Sequence, residues 1–183
     1  NLQNTEHESI KDYAIKLELK SPDGKIIQEK LLNASLQENN TELIVDEPEL
    51  WTAESPNLYS LDLFLIKKEK EQQKISQKIG IREVSIEGSV FKLNGKAIKL
   101  RGVDYHDLVP ETGRTLTRKQ ILDDLLLMKK ANVNFLRTSH YPPDRRRLEL
   151  CDSLGIYVVC EVPFGFGNSF LQDSSYQDIL LQR

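Results

Sequence analysis

Two periodicities divide the chain. In the first half, Tyr13, Ile15, Leu17 and Leu19 are interleaved with Ala14, Lys16, Glu18 and Lys20. This period of two puts alternate side chains on opposite faces of a strand. Ser21-Pro-Asp-Gly24 supplies turn chemistry and the alternation resumes over Lys25–Leu32, which predicts a hairpin. Thr41–Val45, Leu58–Lys67 and Gln73–Arg82 follow as further strands. Several short strands with almost no helical periodicity predict an antiparallel β-sandwich over residues 1–87.

The pattern changes at Glu87-Gly88. Phe91–Leu93, Asn94-Gly95 and Lys96–Leu100 predict a hairpin about a type I′ turn, its second arm running on as an apolar strand over Ala97–Val103. Thr117 and Gln120 have the spacing of a capping box. Ile121, Leu122, Leu125, Leu126 and Met128 then hold a 3.6-residue period, predicting a helix over Arg118–Ala131. Val133–Thr138 is a strand, Pro142-Pro143 opens a second helix over Asp144–Leu154, and Gly155 stops it. Ile156–Glu161 is a continuous apolar strand of the kind buried on both faces of a parallel sheet. Strand, helix, strand, helix, strand is α/β order. Residues 88–183 have room for three of the ~31-residue units of an eight-unit barrel of ~250 residues. The expectation is the opening of such a barrel, truncated.

Composition narrows the function classes. A net charge of −3, from 25 basic and 28 acidic residues, lacks the basic surplus of a general nucleic-acid binder. No apolar run reaches the ~18–20 residues that span a bilayer. Asn1–Ser9 is polar, with no basic-then-apolar leader, which leaves the compartment open. The two cysteines, Cys151 and Cys160, both lie in apolar contexts and are expected to be buried free thiols. They form no finger-type ligand set, so neither metal nor cofactor is expected.

The candidate chemistry stands at the strand ends. The first predicted strand of the α/β half leads into Asp104-Tyr-His106-Asp107, the second into Arg137-Thr-Ser-His140, and the third ends at Glu161. Carboxyl ends of parallel strands converge on one crevice, so His106, Arg137, His140 and Glu161 are expected to meet. Two imidazoles, a guanidinium and a carboxylate suit multidentate hydrogen bonding to a hydroxyl-rich ligand. Taken singly, each also has a plain reading: a loop histidine, an arginine pairing a carboxylate at the rim, a helix-entry residue. Glu161 resists that reading most, because an acid behind four apolar residues is costly to bury without partners.

The segment Asn134-Phe-Leu-Arg137-Thr-Ser-His140-Tyr141-Pro142, followed by Cys151-Asp152 and Gly155-Ile156-Tyr-Val-Val, resembles the signature of glycoside hydrolase family 2. Leu50-Trp51, Ser55-Pro-Asn-Leu-Tyr59, Gly80-Ile-Arg82, Leu93-Asn-Gly-Lys96 and Leu100-Arg-Gly-Val103 agree. The resemblance implies an immunoglobulin-like β-sandwich over 1–87, then the first three β/α units of a (β/α)8 TIM barrel over 88–183. It also implies a retaining exo-β-glycosidase acting on β-linked carbohydrate, a β-galactosidase before a β-glucuronidase or β-mannosidase. By the same resemblance His106 and His140 contact the sugar, Arg137 supports the carboxylates, and Glu161 matches a family acid. The magnesium-binding Glu and His of the β-galactosidase pattern have no counterpart in Val162–Asn168, so no metal is carried over. The family's two catalytic glutamates, the first within an Asn-Glu pair, belong to later strands, and the chain has no Asn-Glu dipeptide. The stretch by itself is therefore expected to be inactive, and its open sheet edge and the apolar helix face Ile121/Leu125/Met128, left without neighbours, to favour self-association. A non-catalytic carbohydrate-binding or scaffold module is the competing reading.

Overall fold

The computed structural model describes residues 9–36, 39–162 and 173–176. The chain divides into two units, one of Asn1–Ser85 with Leu93–Gly95 and one of Ile86–Lys92 with Lys96–Arg183.

The first unit carries a four-stranded antiparallel sheet of β1 (Tyr13–Lys20), β2 (Ile26–Asn33), β3 (Tyr59–Lys67) and β4 (Lys70–Ile79), in the order β2-β1-β3-β4. Its register follows the alternation. Ile15, Leu17 and Leu19 face Leu65, Leu63 and Leu61 across the ladder, while Lys16, Glu18 and Lys20 face Phe64, Asp62 and Ser60. On the charged face Asp62 is buried beneath Lys20 (2.6 Å) and Lys74 (3.1 Å). The Lys20 ammonium, with Ser76 and Lys74, holds its carboxyl well below the usual range.

Two strand predictions need correction here. Thr41–Val45 forms no strand. The Gln28 side chain accepts from Ile44 N (3.1 Å) and Lys30 donates to the Glu42 carbonyl, so side chains of β2 take backbone groups that a ladder would use. β4 ends at Ile79 instead of reaching Arg82, because Ile79 pairs with Tyr59, the first residue of β3; beyond it Gly80 lies against the Trp51 indole, where a Cβ would come to 3.0 Å. Trp51 N donates to Ile81 O (2.8 Å) and the Arg82 guanidinium covers the ring at 5.1 Å. Trp51, Ala53, Tyr59 and Leu93 are buried in this unit.

A small sheet follows, of β5 (Val84–Glu87), β6 (Val90–Leu93) and β7 (Lys96–Ala97). The chain turns between β6 and β7 at Asn94 (φ 51°) and Gly95 (φ 75°), both left-handed as a type I′ turn requires. The second arm of this hairpin is shorter than predicted. Asn134 donates to Lys99 O (3.0 Å) and accepts from Arg101 N (2.7 Å), occupying backbone groups that would otherwise have continued the strand to Val103.

The second unit then runs β8 (Gly102–Tyr105), α1 (Arg118–Lys130), β9 (Phe135–Thr138), α2 (Arg145–Leu154) and β10 (Tyr157–Val159), with the three strands parallel in the order β10-β9-β8. The Thr117/Gln120 capping box starts α1; Asp144 caps α2, and Gly155, at φ 69°, ends it. Leu116, Ile121, Leu125, Leu136, Leu150, Cys151 and Ile156 form the core between helices and sheet, with Met128 packed against it, so the face Ile121/Leu125/Met128 is covered, contrary to expectation. Burial pushes the Cys151 thiol up to about 12. Cys160 is exposed, contrary to expectation, and so is Val159 at the end of β10. β10 extends over three residues only, with Tyr157 and Val158 half-buried and Val159 exposed, so it is not buried on both faces. No helix among the described residues is long and apolar enough to cross a membrane.

Candidate functional site

The three parallel strands bring His106, Arg137, His140 and Glu161 together. Arg137 stands in β9, paired in register with Asp104 of β8 and Val159 of β10. Its Nε and Nη2 donate to Glu161 Oε1, both at 2.5 Å, and its Nη1 lies 3.5 Å from Asp104 Oδ1. The other Glu161 oxygen is 3.1 Å from His140 Nδ1. The His140 ring meets the His106 ring edge to face, with centroids 5.4 Å apart. The Glu161 backbone is fixed as well, its N–H donating to Thr138 Oγ1 at 2.9 Å.

The electrostatics favour a charged cluster. Partial burial pushes the Glu161 carboxyl up, but the Arg137 guanidinium and the His140 ring together pull it down further, and the net direction is below the usual carboxylate range. Glu161 in turn raises Arg137. The side chains stay reachable, at 42% exposure for Arg137, 33% for His140 and 20% for Glu161. Such a set of fixed donors and acceptors is chemically suited to multidentate hydrogen bonding. Among the described residues no group of three His, Cys, Asp or Glu could hold a metal ion. Of Val162–Asn168, where the metal pair of the β-galactosidase pattern was sought, all but Val162 lies outside the described residues. A neighbouring cavity of about 320 Å³ is lined by Asp107, Arg114, Tyr141 and Arg146 among others, and by none of the four.

Several supporting residues escaped the sequence reading. Asp104 adds a second carboxylate to Arg137, and its place one turn of alternation from His106 was the available signal. Arg147 is fully buried, with Nε and Nη2 3.0 and 2.5 Å from Asp107 Oδ1. It sits in a run of three arginines that reads as a solvated helix start. The spacing Arg147, Leu150, Cys151, Leu154 would have placed it on the apolar face.

Comparison with known proteins fits this arrangement. The model of the glycosyl hydrolases family 2 TIM barrel domain matches residues 84–176, and a further glycosyl hydrolases family 2 model matches residues 2–82. The chain belongs to glycosyl hydrolase family 2. Within the family it is 43% identical over 123 residues to a β-galactosidase of Staphylococcus xylosus, covering 67% of this chain and 12% of that protein. It is 36% identical over 153 residues to a β-galactosidase of Halalkalibacterium halodurans, covering 83% of this chain and 15% of that one. Among solved structures, Bacteroides uniformis β-glucuronidase 2 superposes with a TM-score of 0.76 at 34% identity, over 82% of this chain and 19% of that one. The chain thus spans 12% and 15% of the length of the two curated relatives.

Proposed function

We propose that these residues are part of a retaining exo-β-glycosidase acting on β-galactosides. In this reading residues 1–87 belong to an immunoglobulin-like sandwich, and 88–183 supply the first three units of its catalytic barrel. His106, Arg137, His140 and Glu161 form the wall that holds the non-reducing sugar. The observation that carries the reading is the meeting of these four side chains at the ends of three parallel strands, linked through Glu161 and the paired imidazole rings.

Retention requires two carboxyl groups ~5–5.5 Å apart, one attacking the anomeric carbon and one giving and then taking a proton. Glu161 serves neither task here. It is ionised and engaged on both oxygens, which suits it to orient Arg137 and His140 and to accept from a sugar hydroxyl. The acid/base and the nucleophile are assigned to other strands of the same barrel, and the 183 residues alone are expected to be inactive. The galactoside is preferred because the relatives named β-galactosidase are 36–43% identical. A β-glucuronide is the second reading, favoured by the β-glucuronidase that superposes at 34% identity.

The test is a panel of nitrophenyl β-glycosides on the longer protein that carries this stretch, on its His140→Ala variant and on the stretch alone. The expected result is hydrolysis of the galactoside by the parent, more than tenfold lower kcat/KM in the variant with folding kept, and no turnover by the stretch. Turnover by the isolated 183 residues would place the catalytic acids within them. A parent that prefers the glucuronide would replace the galactoside, and an unchanged rate in the variant would remove the four residues from the sugar site.

A further inference from the structure

The residues on either side of the two histidines are tied to one another. Before them in the chain, Ser139 N donates to the carbonyl of Tyr105 at 3.0 Å. After them, Asp107 N donates to the Tyr141 hydroxyl at 3.0 Å. His106 and His140 are thus each held between two cross-ties, one to the partner's preceding neighbour and one to its following neighbour. Within that frame the two rings meet edge to face.

Arg147 ties the frame to α2. Arg147 projects from the first turn of α2 with no exposed surface. It grips Asp107 through two nitrogens and lies over the Tyr105 ring at 4.1 Å, so it holds the residues on both sides of His106. The Tyr105 hydroxyl is in turn bound to Asp124 of α1. As a device for stability alone this is poor. A buried ion pair repays its desolvation only when every hydrogen is used, and apolar replacement of such pairs is often neutral or favourable. Here Arg147 Nη1 has no hydrogen-bond partner among the described residues. What the arrangement does supply is a fixed direction for both loops.

We propose that Arg147 is a positioning residue, setting the mutual placement of His106 and His140 through Asp107, Tyr105 and the Tyr141 hydroxyl. The proposal concerns the residues that the reading above assigns to the sugar site, and its value for hydrolysis rests on that reading. Its geometry is tested separately. Proton spectra of the 183-residue chain would follow the ring signals of His106 and His140, assigned by substitution, with far-ultraviolet circular dichroism as the check on folding.

Tyr141→Phe removes only the hydroxyl that accepts from Asp107, Arg147→Met removes the grip while filling its volume, and Arg147→Lys keeps the charge without the fork. Ring signals of both histidines that move in Tyr141→Phe and Arg147→Met, and partly return in Arg147→Lys, support the proposal. Should Arg147→Met fail to fold, Asp107→Asn, which weakens the Arg147 grip while keeping the side chain's shape, takes its place beside Tyr141→Phe. Ring signals unmoved in a folded Tyr141→Phe variant, or a change confined to one ring, would overturn it regardless of activity. In the longer protein the same variants are expected to lose roughly ten- to hundredfold in kcat/KM, the scale of a misplaced contact group. Moved rings with unchanged hydrolysis would leave the positioning role standing and remove the histidines from the sugar site.

Discussion

Gly102→Ala tests the packing of the parallel sheet with the smallest possible change. Gly102 of β8 is paired with Phe135 of β9, and the phenyl ring lies on its bare backbone. A Cβ at that position would sit 2.1 Å from Phe135 Cδ1 and 3.0 Å from Cγ. Carbon atoms ordinarily settle ~3.5–4.0 Å apart, so relief requires the whole ring to swing about χ1, since its root as well as its rim is in the way. Overpacking of this sort costs about 1–3 kcal/mol. The preference of a strand for Ala over Gly returns well under 1 kcal/mol, leaving a net loss of about 1–2 kcal/mol. Circular dichroism at 222 nm follows α1 and α2, both in the unit that carries this sheet. With a urea dependence of about 2 kcal/mol per molar, the middle of the range for a small domain, the midpoint should fall by roughly 0.5–1 M. Phe135→Leu should suppress most of the penalty, so that adding Gly102→Ala to it costs little more. A midpoint unchanged by Gly102→Ala, or strict additivity with Phe135→Leu, would refute the contact.

Three further outcomes are expected. Ellman's reagent should titrate one thiol per folded chain, the exposed Cys160, and the second, Cys151, only after denaturation, because burial both shields that sulfur and holds it protonated. Hydrogen bonds from the Arg146 side chain and backbone hold the Asp144 carboxyl at about 2, below its unfolded value of ~3.9. Its contribution is therefore complete above about pH 4 and lost as pH falls toward 2; Asp144→Ala should lower Tm at neutral pH, by an N-cap's worth of about 1 kcal/mol, and flatten that acid-side decline. Light scattering on the 183-residue chain should show association rising with concentration, since Leu126, Leu127 and Val159 are exposed apolar groups; a monodisperse monomer across that range would contradict it.

The helices and the parallel strands were legible because each carried its own local mark. Thr117 with Gln120 and Gly155 bracket their helices by backbone chemistry that operates whatever lies around them. The four candidate residues could be placed together because parallel strands leave no choice about which ends coincide. Less legible were features settled by a distant side chain. Thr41–Val45 has a strand's alternation, but Gln28 and Lys30 reach its backbone first. The apolar run 97–103 is interrupted by Asn134, thirty-three residues beyond Arg101, and no local pattern announces that bond. Cys160 has the same apolar neighbours as a core thiol, yet it follows an edge strand, and edges are a property of the assembled sheet.

The register of β9 has a consequence for how this sequence can drift. Arg137 reaches Asp104 on one neighbouring strand and Glu161 beyond the other, so a single guanidinium gauges the alignment of all three. Slipping β9 by one residue would turn Arg137 to the opposite side of the sheet and bring Leu136 into its place. Insertions and deletions should therefore be purged within Phe135–Thr138 while accumulating beyond Asp107 in the connection between β8 and α1, where added length leaves the alignment untouched. Descendants of such a gene can remodel the approach to the rim freely, provided they never change the spacing of the strand beneath it.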